Sequence, residues 1–440
     1  MRGTGRFGVG GVLLLLVLAA AVFAPVSSAT HGNGGGVNDK GKKAAVAKKA
    51  AKKAKRDDGD QGRNGVIGHV YSETNEFSGN RVVVFDRYAN GLLVQHALVP
   101  TGGLGKGQKQ NGCQPPGGCP FLDSQGALTL ARDGRYLIAV NAGSNTISSF
   151  RVTQQGLTLV DQESSQGVYP YSVTTHGDLL YVLNNESFTI AGFRVSGSGN
   201  LKFIQGSVRP LSPDVQNVPD FLLPRQVGFD NTGHFLAVTL LGVPDINTFI
   251  VDGNGLAGPA IANASANPLP FGFSWDAHNH LLDSEVNDPS GAPNGRTATY
   301  SISSTGHLTV IDNQGSNGFA PCWTAVSDKF AYVVNTGAGA PTGATVSVYS
   351  DSPSGNLSLI QVTPQVGFPA LIPFGPAITE FAALDDVLSP DNHYLYVNIP
   401  GIFSSTSRLD MYAVGKDGTI NLIGSTPSTL PGGLSGLAAD

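Results

Sequence analysis

Arg225, Glu285 and Asp385 are the side chains of this sequence that could perform polar chemistry together. A planar guanidinium grips a carboxylate or phosphate through paired N–H groups. A carboxylate withdrawn from water can take a proton from a water molecule, because desolvation raises its pKa toward the working range. The set therefore describes a site that holds a small carboxylated ligand and activates water against it. All three occupy recurrent places. Asn75, Asn141, Asn184, Thr239, Ser284-Glu285, Asn335 and Asn398 each end an apolar run. Some 13 to 15 residues upstream of five of them lie Pro170-Tyr171-Ser172, Pro224-Arg225-Gln226, Pro270-Phe271-Gly272, Pro321-Cys322-Trp323 and Leu384-Asp385-Asp386. Tyr171, Asn141, Asn184, Asn335, Asn398 and Trp323 are the candidate binding residues around the catalytic three. The same residues allow a structural reading, in which the asparagines cap strands, Arg225 pairs with Glu285 or Asp385, and Trp323 packs between sheets.

These residues converge only if the chain repeats. The unit is clearest from Ser124 to Val152, SQGALTLARDGRYLIAVNAGSNTISSFRV: an apolar strand, an Asp133-Gly134 turn, a second strand ending at Asn141, a turn of small residues and a third strand. A fourth strand follows from Leu157. β-rich runs separated by turn residues make an antiparallel four-stranded meander. Echoes appear at Leu179–Asn184, Phe235–Thr239, His280–Glu285, Phe330–Asn335 and Tyr394–Asn398, with a truncated copy opening at Val70. Seven units spaced roughly 40 to 60 residues apart match propeller blades. Each sheet alone would expose an apolar face, so the expected fold is an all-β seven-bladed propeller. The first copy lacks an innermost strand, and the small, apolar Gly433–Asp440 is expected to supply it and close the ring. In each blade the first strand runs down the channel and the second runs back. Strand-one starts and strand-two ends therefore share one mouth.

Ahead of this domain (residues 65–440), Met1–Ala29 has a basic start, an apolar run from Val12 to Ala24 and a small-residue end. It reads as a cleaved signal peptide, since the run falls short of the ~20 residues of a membrane span. Residues 30–64 form a glycine-rich and then Lys/Ala-rich linker. Residues 1–64 carry 12 Lys/Arg and 4 Asp/Glu, so a basic tail precedes a propeller of net charge −13. The tail could engage an anionic polymer. Nucleic acid is not an expected partner outside the cell, no glycine-rich phosphate loop opens a helix, and a monomer is expected. The composition, with 58 Gly, 27 Pro and 13% charged residues, suits a turn-rich extracellular protein.

Of three cysteines, Cys113 and Cys119 bracket Pro-Pro-Gly-Gly and could form a local disulfide in an oxidising compartment, leaving Cys322 as a buried apolar residue. No His or third Cys lies near that pair to complete a metal site, and neither metal nor cofactor is expected. Asn185, Asn263 and Asn356 open Asn-x-Ser sequons in predicted connections, where glycan could attach. His176 falls in the turn between the first two strands of its blade, on the opposite face from Arg225.

The Ser124–Val152 stretch, together with SVTTHGDLLYVLN, GSVRPLS, PFGF and PCWTAV, resembles the lactonase-type seven-bladed propeller family of 6-phosphogluconolactonase and the fungal-type carboxymuconate cycloisomerase. The resemblance spans roughly residues 66–440. It implies a metal-independent site at one channel mouth, acting on small carboxylated lactones or their open acids. It also implies that Arg225 matches the family's arginine after proline. Tyr171-Ser172 stands where catalytic members have His-Ser, and Thr239-Leu240-Leu241 where they have a glutamate, so the cycloisomerase reading is disfavoured and Glu285 would have to be recruited from the next blade. Two functions remain: a secreted lactone hydrolase, or a non-catalytic extracellular propeller binding a sugar acid, a wall polymer or a protein.

Overall fold

A strand flanked by sheets on both faces can be apolar throughout, whereas an outer strand must alternate, and this chain shows both patterns in each repeat. In the computed structural model, residues 65–106, 122–217, 224–286, 294–336, 344–364, 383–400, 406–431 and 433–440 are described. The second strands Tyr136–Asn141 and Phe235–Leu240 are buried at every position, while the outer strand Gly156–Ser164 is largely open to solvent.

Seven antiparallel sheets form the propeller. Blade I is built from Leu93–Pro100, Arg81–Tyr88, Val66–Glu73 and, innermost, Ser435–Ala439. Blade II runs outward from Leu128–Ala131 through Tyr136–Asn141 and Thr146–Thr153 to Gly156–Ser164. The inner strands of blades III to VII are Pro170–His176, Pro224–Phe229, Pro270–Trp275, Pro321–Val326 and Asp386–Leu388. Their second strands are Leu179–Asn184, Phe235–Leu240, Leu281–Glu285, Phe330–Asn335 and Tyr394–Ile399, so in blades IV and VII the strand runs one residue past the expected Thr239 and Asn398. The turn after Leu128–Ala131 is made by Arg132, Asp133 and Gly134, all at positive φ, a conformation that short polar residues and glycine accept most readily. Pairing sets the shared mouth directly: Pro170 lies opposite Asn184, Pro224 opposite Leu240, Pro270 opposite Glu285 and Pro321 opposite Asn335.

Neighbouring blades are pinned by a recurring bond. A third-strand hydroxyl donates to the carbonyl of a glycine in the next blade's outer turn: Ser149 to Gly199 at 2.7 Å, Thr248 to Gly306 at 2.5 Å and Thr299 to Gly355 at 2.5 Å. Apolar clusters fill the gaps between blades, for example Phe273, Trp275, Leu281 and Tyr300 with Ala237 and Ile246 between blades IV and V.

The ring closes as the sequence suggests. Ser435–Ala439 pairs antiparallel with Val66–Glu73, and Leu434 and Leu437 are buried against Val70, Phe85 and Tyr396. Burying two leucines in this way stabilises closure by roughly 3 to 6 kcal/mol. Asp440 then fastens the seam. Its carboxylate accepts hydrogen bonds from the main-chain N–H of His69 and from Tyr71 Oη (2.9 Å), and its main-chain carbonyl accepts two from Arg87, at 2.7 and 3.1 Å. Burial alone would raise the Asp440 pKa, but the bonds from His69 and Tyr71 outweigh it and hold the carboxyl below its usual range. A depressed folded pKa gives stability that is present above the unfolded value and lost as pH falls through the folded one. Asp440→Asn should therefore lower unfolding free energy by about 2 kcal/mol at neutral pH. Denaturation curves of variant and parent should converge as pH drops below about 4; a gap that persists in acid would mean the seam does not rest on this carboxylate.

Candidate functional site

Arg225 is the second residue of blade IV's inner strand, and the structure brings it to Tyr171, second residue of blade III's. Arg225 Nη1 donates to Tyr171 Oη at 2.8 Å and to the main-chain carbonyl of Asp123 at 3.2 Å, and lies 3.4 Å from Asp123 Oδ2. The guanidinium sits beside the rings of Tyr171 (6.0 Å) and Phe271 (5.2 Å) and is 5% exposed. Burial lowers its pKa, but Tyr171 and Asp123 raise it further, so it stays cationic. Burial pushes the Tyr171 phenol well up, against the opposing charge of Arg225, so the phenol keeps its proton.

Asp123 is a residue the sequence reading missed. It lies 18 residues upstream of Asn141, outside the 13-to-15-residue window that marked the other mouth positions. Its side chain is 37% exposed, which leaves one face of the carboxylate to water while the other faces Arg225. Arg225 thus has an acid partner, but neither of the two expected.

Glu285 is enclosed elsewhere. It is 0% exposed, accepts from Tyr300 Oη at 2.5 Å and from Asn267 Nδ2, and belongs to the packing between blades IV and V. Burial raises its pKa to about 7, with the bonds from Tyr300 and Asn267 opposing. The expectation that it faces the mouth with Arg225 fails because, at the end of its strand, its side chain turns into the inter-blade gap that Asn267 and Tyr300 fill.

The asparagines have structural duties of one pattern. Asn141 Nδ2 donates to Thr146 Oγ1 (3.1 Å) and Ser148 Oγ (2.8 Å), and Asn335 Nδ2 to Thr345 Oγ1 (3.1 Å) and Ser347 Oγ (2.8 Å). Asn184 donates to the Ser165 carbonyl at 2.9 Å and Asn398 to that of Leu434 at 2.7 Å. Gly103, Gly167 and Gly318 lie flat on Asn141, Asn184 and Asn335, where an added Cβ would fall within 2.6 Å of the amide. Each asparagine is thus the peg on which an incoming connection is hung. They are buried and are not among the residues lining the channel cavity. Trp323 is likewise core, edge-to-face with Phe271 at 5.0 Å.

Asp385 does reach an open space, with Asp386 beside it. A cavity of about 490 Å³ follows the channel from Gln125, Gln226 and Thr324 to the turn residues Asn231 and Asn392, and both aspartates line it. Gln125 bridges the channel: its amide donates to the Thr324 carbonyl (2.6 Å) and accepts from the Thr324 N–H (3.1 Å), joining blade II to blade VI across the axis. Arg225, Asp123 and Tyr171 are not among the residues lining the cavity.

Cys322 is buried with a free thiol. Cys113 and Cys119 lie outside the described residues, as do the leader and the linker. Among the sequons, Asn356 is exposed, Asn185 is 1% exposed, and Asn263 lies within the outer strand Ile261–Ala264 rather than in a connection. The Asn263 amide is engaged with Thr248 Oγ1 at 3.1 Å. His176 ends its inner strand, at the opposite end from Arg225.

Residues 69–215 match the model of the family described as Lactonase, 7-bladed beta-propeller. The match runs from blade I into blade III, and the fold around it is a seven-bladed propeller. Among solved structures it is similar to the periplasmic gluconolactonase of Pseudomonas aeruginosa (16% identity, TM-score 0.61, covering 84% of this chain and 98% of that one). It is also similar to candidate 6-phosphogluconolactonases of Bacteroides uniformis (15%, TM-score 0.60, 85% and 99%) and Bacteroides fragilis (14%, TM-score 0.56, 85% and 98%). At these identities the likeness is one of fold. No curated protein matches the chain.

The enclosure of Glu285 has a measurable consequence. A carboxyl whose folded pKa is raised favours the folded state while protonated, so its contribution is lost as pH rises from its ordinary value of 4.5 toward about 7. Between pH 5 and pH 8 the parent chain should lose stability through this group together with the buried Asp283, whose carboxyl burial and Glu285 both push up, and Glu285→Gln should reduce that loss. Urea unfolding at the two pH values checks it; equal losses in both proteins would show the carboxylate to be hydrated.

Proposed function

We propose that this chain is an exported, lactonase-like hydrolase of small carboxylated lactones acting at the Arg225 end of the channel. The carrying observation is the cluster of Arg225, Tyr171 and Asp123, a fixed guanidinium with a half-exposed carboxylate 3.4 Å away. Arg225 would hold the ligand's carboxylate. Tyr171 accepts a bond from Arg225, which leaves its own O–H free to donate to the lactone carbonyl oxygen as negative charge grows there. Asp123 would take a proton from water as the water oxygen bonds to the carbonyl carbon; the ring C–O bond then breaks and the proton passes to the released alkoxide, giving the hydroxy acid. The family match supports lactone chemistry, and the leader-like Met1–Ala29 together with the periplasmic Pseudomonas neighbour supports export.

A non-catalytic propeller that binds a sugar acid, a wall polymer or a protein has its own support. Arg225 is nearly enclosed and already partnered by Asp123 and Tyr171, which suits a structural cation.

Assaying a panel of five- and six-membered lactones, with and without carboxylates, separates the two. Under the hydrolase reading Asp123→Asn lowers kcat by roughly 10²–10³-fold, and Arg225→Ala raises KM selectively for the carboxylated substrates. Glu285→Gln retains turnover. Absence of turnover of any lactone by the parent chain would favour the binding reading.

A further inference from the structure

The channel cavity has a chemistry that lactone hydrolysis does not use. Asp386 is 4% exposed, lines the cavity, and neither of its carboxylate oxygens has a hydrogen-bond partner among the described residues. Asp385 lies beside it and spends Oδ1 on the Asp386 main-chain N–H, at 2.9 Å. The residue is held at φ 66°, a left-handed conformation that an aspartate adopts at some cost. Among the described residues, no lysine, arginine or histidine lines the cavity. A buried carboxylate without a donor is costly, and the adjacent acid makes its ionisation costlier still. Burial indeed pushes both groups up, Asp385 to about 8 and Asp386 well above the carboxylate range with its neighbour adding to the effect.

A ligand that supplied N–H donors and positive charge would relieve this. The walls say which kind. Phe229, Trp275, Val387 and Leu388 put apolar and aromatic surface beside the acids, among polar groups that include Gln226, Ser274, Thr324, Ser389 and Asn392. A bare metal ion is poorly served, since no group of three or more His, Cys, Asp or Glu that could hold one occurs among the described residues. A cation with a short hydrocarbon body matches both the acids and the aromatic faces. The volume of about 490 Å³ lies within the usual range for small-molecule sites.

We infer that this cavity is a binding site for a small organic ammonium or diammonium ion, with Asp386 as its anionic anchor and Asp385 supporting it. Arg225, Asp123 and Tyr171 are not among the residues that line it. Binding there neither requires nor excludes hydrolysis at the Arg225 cluster.

Isothermal titration of the full chain with putrescine and benzylamine, and with the uncharged 1,4-butanediol and benzyl alcohol, tests it. At least one amine should bind with Kd below about 1 mM, and its alcohol roughly tenfold or more weakly. Asp386→Asn should cost the amine roughly tenfold in affinity. Ala325→Met, which narrows the cavity and leaves both acids in place, should cost at least as much, and Trp275 emission should shift on binding. Circular dichroism and thermal melts confirm that each variant is folded. No heat from either amine up to about 10 mM, equal affinity for amine and alcohol, or an unchanged Kd in a folded Asp386→Asn protein would each overturn the assignment.

Discussion

A four-stranded sheet with apolar faces must find cover, and here each blade's cover is another blade. That requirement has no end within a linear chain, so the structure depends on the antiparallel pairing of Ser435–Ala439 with Val66–Glu73, which lets blade VII and blade II both meet a complete blade I. The contact is non-local in the extreme, since Tyr71 and Asp440 are 369 positions apart. Everything placed at the channel, including Arg225 and the acids of blade VII, owes its position to a ring that this seam holds shut.

Once the ring exists, most of the polar residues at the Arg225 end are needed to hold chain rather than ligand. A connection between blades must bring unpaired carbonyls into a buried place, and the strand-end asparagines and third-strand serines meet them there: Ser148 donates to the Thr101 carbonyl at 2.8 Å and Ser347 to that of Ser316 at 2.5 Å. The Arg225, Asp123 and Tyr171 cluster adds to this a buried cation that meets both a main-chain carbonyl and a carboxylate of one residue, Asp123.

The fold was legible because it is written several times over. Asp-Gly turns, strand pairs of fixed spacing and the missing inner strand of the first copy specify blades, count and closure without any long-range information. The site was legible only where the repeat predicts it. Spacing placed Arg225 and Tyr171 at one mouth correctly, yet the same spacing put Asn141, Asn184, Asn335 and Asn398 among the binding residues, because recurrence reads alike for a shared site and for a shared joint. What distinguishes three of them is glycine lying against the amide from a connection some 17 to 38 positions earlier, as with Gly103 on Asn141 and Gly318 on Asn335. Glu285 misled for a related reason: its strand position was right, but its side chain's direction was set by Tyr300 and Asn267. Asp123 and Gln125 lie in an irregular lead-in that no period covers, and Gln125 meets its partner 199 residues away.

Gln125, bonded at both ends of its amide to the Thr324 main chain, ties blade II to blade VI across the axis. Two blades that are not neighbours in the ring are thereby fixed to each other. The width of the channel at that level is set by one side chain as well as by the closure of the ring.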